Sequence, residues 1–256
     1  MHAVFLGAIG SVFVPHGFAP PSPSLEVFSN LQGHIRRTGL SFVAVDDGTI
    51  VGYGSSWTRG DDWFLASLFI APPAQGRGAG PALLDAVWSE AKRRRTMTDA
   101  IQPISNVLYG RRGLVPATPV LTFSGHPRID ATAEPEPADE RAIDELAYGF
   151  DRAVDHRHWS EHARRTDWRD AYSYAYPGGE IGPLAGATPA AAAAALAGEL
   201  AAAEGEVRVR IPGSARRLVE VALAAGLSLA PVPGLLLLSE GLEPPTALAP
   251  GSYALY

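Results

Sequence analysis

The sequence predicts an α/β protein of the α+β kind, built as two tandem halves. Three observations carry this. The order helix, helix, strand pair, helix, strand, helix, strand is read over residues 1–126 and again over 139–256, with hardly any residue identity repeated. Residues 127–138, with Pro127, Pro135 and Pro137 among charges, form a linker between the halves. The 256 residues are 46% apolar and only 19% charged, enough to bury sizeable cores and unlike a disordered chain.

In the first half, Met1–Val14 is expected as a helix stopped by Pro15, and Ser24 as the N-cap of a second helix ending near Gly39. The period then changes. Ser41–Val45 reads as a strand, Asp46-Asp47-Gly48 as hairpin-turn chemistry, and Thr49–Trp57 as the returning strand. Trp63–Ile70 is nearly all apolar, as for a strand covered on both faces. After Gln75–Gly80 comes a helix with Leu83, Leu84, Val87, Trp88 and Ala91 on one face. Thr96–Ile101 is a strand, Ser105–Arg112 a short helix closed by Gly113, and Val120–Phe123 a final strand of this half. In the second half, Asp139–Phe150 and Trp159–Thr166 are expected as helices. Ala171–Tyr176 and Glu180–Leu184 make a hairpin across Pro177-Gly178-Gly179. Thr188 caps a helix with Pro189 in its first turn, Glu206–Ile211 is a strand, Ser214–Ala225 a helix stopped by Gly226, and Leu235–Ser239 a strand.

Composition excludes several classes of function. With no cysteine there are no disulfides, thiolate metal sites or Cys nucleophile. No run of about 18 apolar residues exists, so no membrane span is expected. The opening segment lacks the basic start and small-residue cleavage site of a secretory leader. A cytoplasmic protein is the expectation. Residues 1–128 carry 11 Lys and Arg against 8 Asp and Glu, the remainder 10 against 19, for a net charge of −6. The mildly positive first half suits an anionic small molecule, and the acidic whole argues against nucleic acid. The single basic cluster, Lys92-Arg93-Arg94-Arg95, is expected as a solvated helix end.

The strongest local signal is Leu68-Phe69-Ile70-Ala71-Pro72-Pro73-Ala74-Gln75-Gly76-Arg77-Gly78-Ala79-Gly80, a buried strand running through a Gly-rich turn into an amphipathic helix. The first N–H groups of a helix have no internal partner and carry partial positive charge, so they hold phosphate. Gly78 and Gly80 let a pyrophosphate approach the backbone closely. A P-loop fails here for want of the Gly-Lys-Ser/Thr end, and a dinucleotide fingerprint fails because Pro81 or Leu83 stands where the third Gly belongs. A plain strand–helix turn is the bland alternative.

Gln75, Gly78 and Gly80, the strand ending in Ile70 with Pro72 two residues on, and a later Tyr109, Gly113, Leu114 segment resemble the GNAT superfamily of N-acetyltransferases. The resemblance covers about residues 40–123 well and 1–39 loosely. It implies two tandem GNAT-like domains, 1–126 and 139–256, each a mixed, mostly antiparallel sheet flanked by helices. It further implies acetyl-coenzyme A as co-substrate and a primary amine, small-molecule or peptide, as acceptor attacking the thioester directly. Leu68, Phe69 and Ile70 would hold the pantetheine arm, and Gln75, Gly76, Arg77, Gly78, Ala79 and Gly80 the pyrophosphate. Ser105 would reach the coenzyme, and Tyr109 would protonate the leaving thiolate. A phenol of pKa about 10 beside a thiol of about 8.5 is a sensible acid; a core aromatic is the competing reading.

The sequence departs from the family in places. Pro81 lacks an N–H, Gln102 stands where relatives place an Asn, and no opening strand precedes the first helix. The Glu that many relatives carry before the coenzyme loop is Phe64 here. Asp62, with Asp61 beside it, and His16 in the Pro-rich loop are the candidate general bases, each otherwise an exposed polar residue. The loop of the second half, Ala185-Gly186-Ala187-Thr188-Pro189, lacks the Gln-x-x-Gly-x-Gly pattern, so that half is expected to be degenerate and to bind no coenzyme. Between Phe150 and Trp159, Arg and aromatic residues would line a pocket or, more simply, a domain interface. His156 and His158 are two apart and diverge on a helix, so no metal is expected. A monomer or homodimer is expected, without membrane or nucleic-acid partners. The competing function is a non-catalytic acyl-coenzyme A-binding regulatory or structural module.

Overall fold

A computed structural model describes residues 1–130 and 133–256. The chain divides into two compact units, Met1–Thr96 with Ile101–Leu114, and Met97–Ala100 with Val115–Tyr256. No described helix is long and apolar enough to cross a membrane.

The first unit begins with α1 (His2–Phe13) and α2 (Leu25–Thr38). Ser24 caps α2 as its sequence suggested, accepting a hydrogen bond from Val27 N–H at 3.2 Å. Then come β1 (Gly39–Asp46), β2 (Thr49–Arg59) and β3 (Asp62–Ile70), an antiparallel meander turning at Asp47-Gly48 and at Gly60, all three of positive φ. After α3 (Ala79–Val87) the chain enters β4 (Arg93–Asp99), which runs parallel to β3, and then α4 (Pro103–Gly110). Among the described residues, the crossover β3–α3–β4 is therefore the parallel step in this unit's mostly antiparallel sheet.

Close packing fixes α3 on the sheet. A Cβ at Gly52 would stand 2.6 Å from Ile70 Cδ1, 3.1 Å from the Phe69 carbonyl and 3.2 Å from Leu83 Cδ1, so glycine there eases the seating of Leu83 on β2. The far end of α3 is pinned through the Val87 carbonyl, which accepts from Ser56 Oγ at 2.9 Å and Trp63 Nε1 at 3.1 Å. The helix stops there, with Trp88 already extended at ψ 147°, short of the expected Ala91. Arg93, Arg94 and Arg95 thus open a strand and do not end a helix. Arg93 and Arg95 turn to the buried carboxylate of Asp62, a partner distant in sequence that local periodicity does not show.

The second unit holds β5 (Val115–Gly125), α5 (Glu140–Ala147), α6 (Ala153–Ser160), β6 (Arg164–Trp168), β7 (Ala171–Ala175), β8 (Glu180–Gly186) and α7 (Pro189–Ala201). It continues with β9 (Val207–Pro212), α8 (Arg216–Ala224), β10 (Ser228–Leu229), β11 (Gly234–Leu238) and β12 (Leu248–Ala249). The strand order is β11-β5-β9-β8-β7-β6, with β10 added on β5 and β12 on β8. The pair β8–β9 is parallel around the α7 crossover and the other pairs are antiparallel. The step β8–α7–β9 thus repeats β3–α3–β4, and the tandem α+β architecture holds.

Two further segments depart from the sequence expectation. Val120–Phe123 was expected as the final strand of the first half, yet it lies within β5, which is hydrogen-bonded between β9 and β11 of the second. The stretch from Trp159, expected as helix to Thr166, leaves the helix at Ser160 and forms β6, drawn into a hairpin with β7 around Asp170 at φ 58°. The core of this unit packs Phe123, Trp168, Leu184, Leu196, Val209 and Leu218 between sheet and helices. Gly198, which interrupts the apolar run of α7, is where the Trp168 indole fits: a Cβ there would stand 2.3 Å from Trp168 Cη2.

Candidate functional site

Asp62 opens β3. Its carboxylate is 2% exposed and is taken up by Arg93 Nε at 2.9 Å and by the Arg95 guanidinium. Arg93 sits opposite it and Arg95 opposite Phe64 in the parallel ladder, which joins Asp62–Leu65 to Arg93–Thr96 and, among the described residues, runs no further. At that point β3 also carries a bulge: Ser56 faces Leu65 and Ser55 faces Ser67, leaving Ala66 unopposed. A bulge bends its strand. Beyond it, Ser67–Ile70 stays paired to β2 through Ser55–Gly52 while its other edge lies outside the ladder. Leu68, Phe69 and Ile70 are therefore in the splayed, half-free segment that the family resemblance assigns to the pantetheine arm.

The strand leads into the Gly-rich turn. Gln75 does not reach outward; its Nε2 donates to the Ile70 carbonyl at 3.0 Å and ties the loop to the end of β3. Gly76 and Gly78 have φ of 77° and 89°, conformations costly for residues with a Cβ, and a Cβ on either would meet nothing within 4 Å. Gly78 is the N-cap of α3, and no side chain caps that helix. The amides of Ala79 and Gly80 head it, Pro81 supplies none, and Ala82 N–H is the first to bond back, to Gly78 O at 3.2 Å. Arg77, 68% exposed, pairs with Asp46 at 3.7 Å, a contact of little energetic weight that leaves its head in solvent.

The equivalent turn of the second unit is closed. Thr188 Oγ1 caps α7 by accepting from Ala191 N–H at 3.1 Å. A Cβ on Gly186 would stand 2.4 Å from Ala192 N. One helix start is open, uncapped and lined by glycine; the other is capped and packed against its own strand.

Tyr109 is the buried residue of α4, 4% exposed. Burial pushes its hydroxyl up to about 12, while a hydrogen bond with Ser105, one turn earlier, pulls the other way. Ser105 thus serves Tyr109. The end of α4 is anchored by Arg112, which pairs with Asp85 of α3 and lies 5.3 Å over the Trp88 ring. Gly113 at φ 78° turns the chain so that Leu114 N–H returns to Tyr109 O at 3.1 Å.

His16 is exposed in a short turn after α1, its Nδ1 2.8 Å from the Val12 carbonyl. That contact requires Nδ1–H, so the neutral ring keeps its lone pair on Nε2. A group the sequence did not single out lies across β2 and β3. Tyr53 is fully buried among Phe5, Phe28 and Phe69. Gln32 Nε2 donates to Ser67 Oγ at 3.2 Å, and burial holds the Tyr53 hydroxyl far above its ordinary value, with Ser67 opposing. Ser67, polar within an apolar run, was the legible signal; its partners on α2 and β2 were not.

In the second unit the Phe150–Trp159 segment is internal to the fold. The Arg152 guanidinium is buried between the rings of Tyr148 at 4.0 Å and Trp159 at 4.5 Å. His156 bridges Asp144 Oδ2 at 3.0 Å and Tyr174 Oη at 2.9 Å, and Tyr172 donates to Asp144 Oδ1 at 2.6 Å. His156 also lines a cavity of 470 Å³ with Glu140, Arg157, Ser160, Glu161 and Arg165.

With this geometry the comparisons with known proteins agree. Residues 13–113 match the model of the acetyltransferase (GNAT) family. A Pyrococcus horikoshii protein provisionally assigned as an acetyltransferase is 18% identical with a TM-score of 0.76, over 100% of this chain and 91% of that one. A GCN5-related N-acetyltransferase from Sphaerobacter thermophilus is 16% identical with a TM-score of 0.60, over 95% and 94%. A tandem GNAT protein from the clavulanic acid biosynthesis pathway is 12% identical with a TM-score of 0.52, over 93% of each chain. No curated protein matches the sequence. Residues 13–113 are thus similar to the GNAT acetyltransferase family, and the fold of the chain is shared with a tandem GNAT protein.

Proposed function

We propose that the first unit binds one acetyl-coenzyme A and transfers its acetyl group to a primary amine by direct attack on the thioester. The observation that carries this is the contrast between the two helix starts. The turn into α3 is open, glycine-lined and uncapped, whereas Thr188 consumes the corresponding donor at α7. Phosphate favours the former and has no place at the latter.

In this reading the amides of Gly76 to Gly80, short of Pro81, hold the pyrophosphate, and Arg77 adds an exposed cation. The free edge of Leu68–Ile70 takes the pantetheine arm in strand fashion, and its N–H groups polarise the acetyl carbonyl in the manner of an oxyanion hole. Tyr109 protonates the departing thiolate. Its raised pKa keeps it protonated at neutral pH, so the proton is present when the sulfur leaves. Asp62 is reassigned from base to structure, because two guanidinium groups occupy its carboxylate. His16 is the remaining side chain proposed to take the amine proton.

The loss of Asp62 as a base favours one competing reading, an acyl-coenzyme A-binding module without turnover. Calorimetry is expected to give about one acetyl-coenzyme A per chain, abolished by Gly78→Glu. Release of free coenzyme A across a panel of amines separates the readings: binding without release for any amine supports the module, and two equivalent sites defeat the placement.

A further inference from the structure

Helix α6 ends at Ser160, but the chain stays helical through Glu161, at φ −74° and ψ −19°. His162 N–H and Ala163 N–H both return to Trp159 O, at 3.0 and 2.9 Å. This last turn sets positions 158, 161 and 162 side by side, since residues three and four apart share a helix face. They are His158, Glu161 and His162. One ligand atom from each lies within 4.8 Å of the others, and the two imidazole centroids are 5.0 Å apart.

We propose that His158, Glu161 and His162 form a binding site for one borderline divalent cation of the Zn²⁺ class in the second unit. The donor set selects the ion. Two imidazoles and a carboxylate suit Zn²⁺, Co²⁺ or Ni²⁺, whereas Mg²⁺ and Ca²⁺ call for oxygen throughout. The spacing is close to what the ion needs. Donors about 2.1 Å from a tetrahedral ion stand about 3.4 Å apart, so the set closes by about 1.4 Å at most from its 4.8 Å limit. Glu161 is exposed and His162 half-buried, so side-chain rotation supplies that movement. His158 is 8% exposed and held in place, which pre-orders the first ligand. Among the described residues, Glu161 and His162 spend their donor atoms on no other hydrogen bond or ion pair.

Three protein ligands leave a fourth tetrahedral position for water or an anionic group. Glu161 also lines the 470 Å³ cavity beside His156, Ser160 and Arg157, which brings the ion to the edge of that cavity. The ion fastens the end of α6 to the turn before β6, so it stabilises the second unit by mass action. The half of the chain without a coenzyme loop would then keep a ligand site of its own, independent of acetyl transfer.

The test uses the full-length protein stripped with a chelator, titrated with Zn²⁺ in a calorimeter and with Co²⁺ by visible absorption. The expected result is one ion per chain, a ligand-field band from bound Co²⁺ and a raised melting temperature. His162→Ala and the isosteric Glu161→Gln are each expected to weaken Zn²⁺ binding at least about tenfold, the lower end of what even outer-shell losses cost. His126→Ala, an exposed histidine elsewhere, is expected to leave affinity unchanged. Absence of binding at micromolar Zn²⁺ overturns the proposal. So does binding that survives both site variants, or binding that His126→Ala removes. None of these readouts depends on acetyl transfer.

Discussion

Gly78→Ala separates backbone strain from ligand contact at the α3 turn. Gly78 sits at φ 89° and ψ −8°, and an added Cβ would meet no heavy atom within 4 Å. In the free protein the cost is therefore that of a left-handed backbone, about 1–2 kcal/mol. Alanine also restricts the unfolded chain, which offsets roughly 0.4–1 kcal/mol. The net loss is about 1 kcal/mol, a fall in melting temperature of about 2–4 °C for a chain of this size. Gly226 provides the control. It has φ 77°, an equally open surround and a place after α8 in the second unit. Gly226→Ala is thus expected to lose a similar amount of stability for the same reason. Only at Gly78 does the new methyl enter the space assigned to the pyrophosphate. Affinity for acetyl-coenzyme A, measured by calorimetry, is expected to fall at least about tenfold in Gly78→Ala, or 1.4 kcal/mol, and to stay unchanged in Gly226→Ala. Equal affinities in the two variants would refute the phosphate placement, however well the melting data agree.

Four further outcomes follow from the same reasoning. Tyr109→Phe is expected to retain coenzyme binding and slow turnover by roughly ten- to ten-thousand-fold, and the parent enzyme to show no alkaline loss of rate from this phenol below its pKa of about 12; an unaffected rate with a true acceptor would make Tyr109 core packing only. Asp62→Asn leaves Arg95 buried without its carboxylate and is expected to cost about 3 kcal/mol in urea unfolding, with denaturation matching the parent's counting against the pairing. Asp99 is pushed up to about 6 by burial, with Arg210 opposing; a raised folded-state pKa means its contribution is complete below about pH 4 and is lost as pH rises through 6, so Asp99→Asn should flatten stability over that window and raise it near pH 7 by up to about 2 kcal/mol, while an unchanged slope would exclude Asp99 as the titrating group. Because β5 lies between β9 and β11, a fragment of residues 139–256 is expected to remain unfolded by circular dichroism where residues 115–256 fold, and a cooperative melt for the shorter piece would overturn that domain boundary.

Much of this fold was legible because its signals are local. Ser24 before α2, Thr188 before α7 and Gly226 after α8 mark helix ends through hydrogen bonds or φ values that involve only the next few residues. The hairpin at Asp47-Gly48 is equally local. The Gly-rich turn was legible for a related reason: its chemistry resides in backbone N–H groups and in the absence of side chains, which the letters themselves state. The misreadings share an opposite cause. Arg93 and Arg95 look like a solvated helix end until Asp62, some thirty residues earlier, is seen opposite them. The last turn of α6 looked continuous with Arg164–Thr166 until β7 claimed those residues as a strand.

Sequence alone determined that this chain is a tandem α+β protein with one glycine-rich helix start, and that its second half lacks that loop. Those properties depend on residue type and on spacing within a turn or two. Tertiary structure decided the rest. It bent β3 at Ala66 so that Leu68–Ile70 leaves the ladder, spent Asp62 on two arginines, and buried Tyr109 against water. It also placed Val115–Gly125 in the second sheet and drew His158, Glu161 and His162 together at the end of α6. Each is a statement about partners: which strand a strand pairs with, which charge neutralises which, and how much solvent a group keeps. Partner choice is set by the lowest free energy of the whole packed chain, so it cannot be read from any single segment.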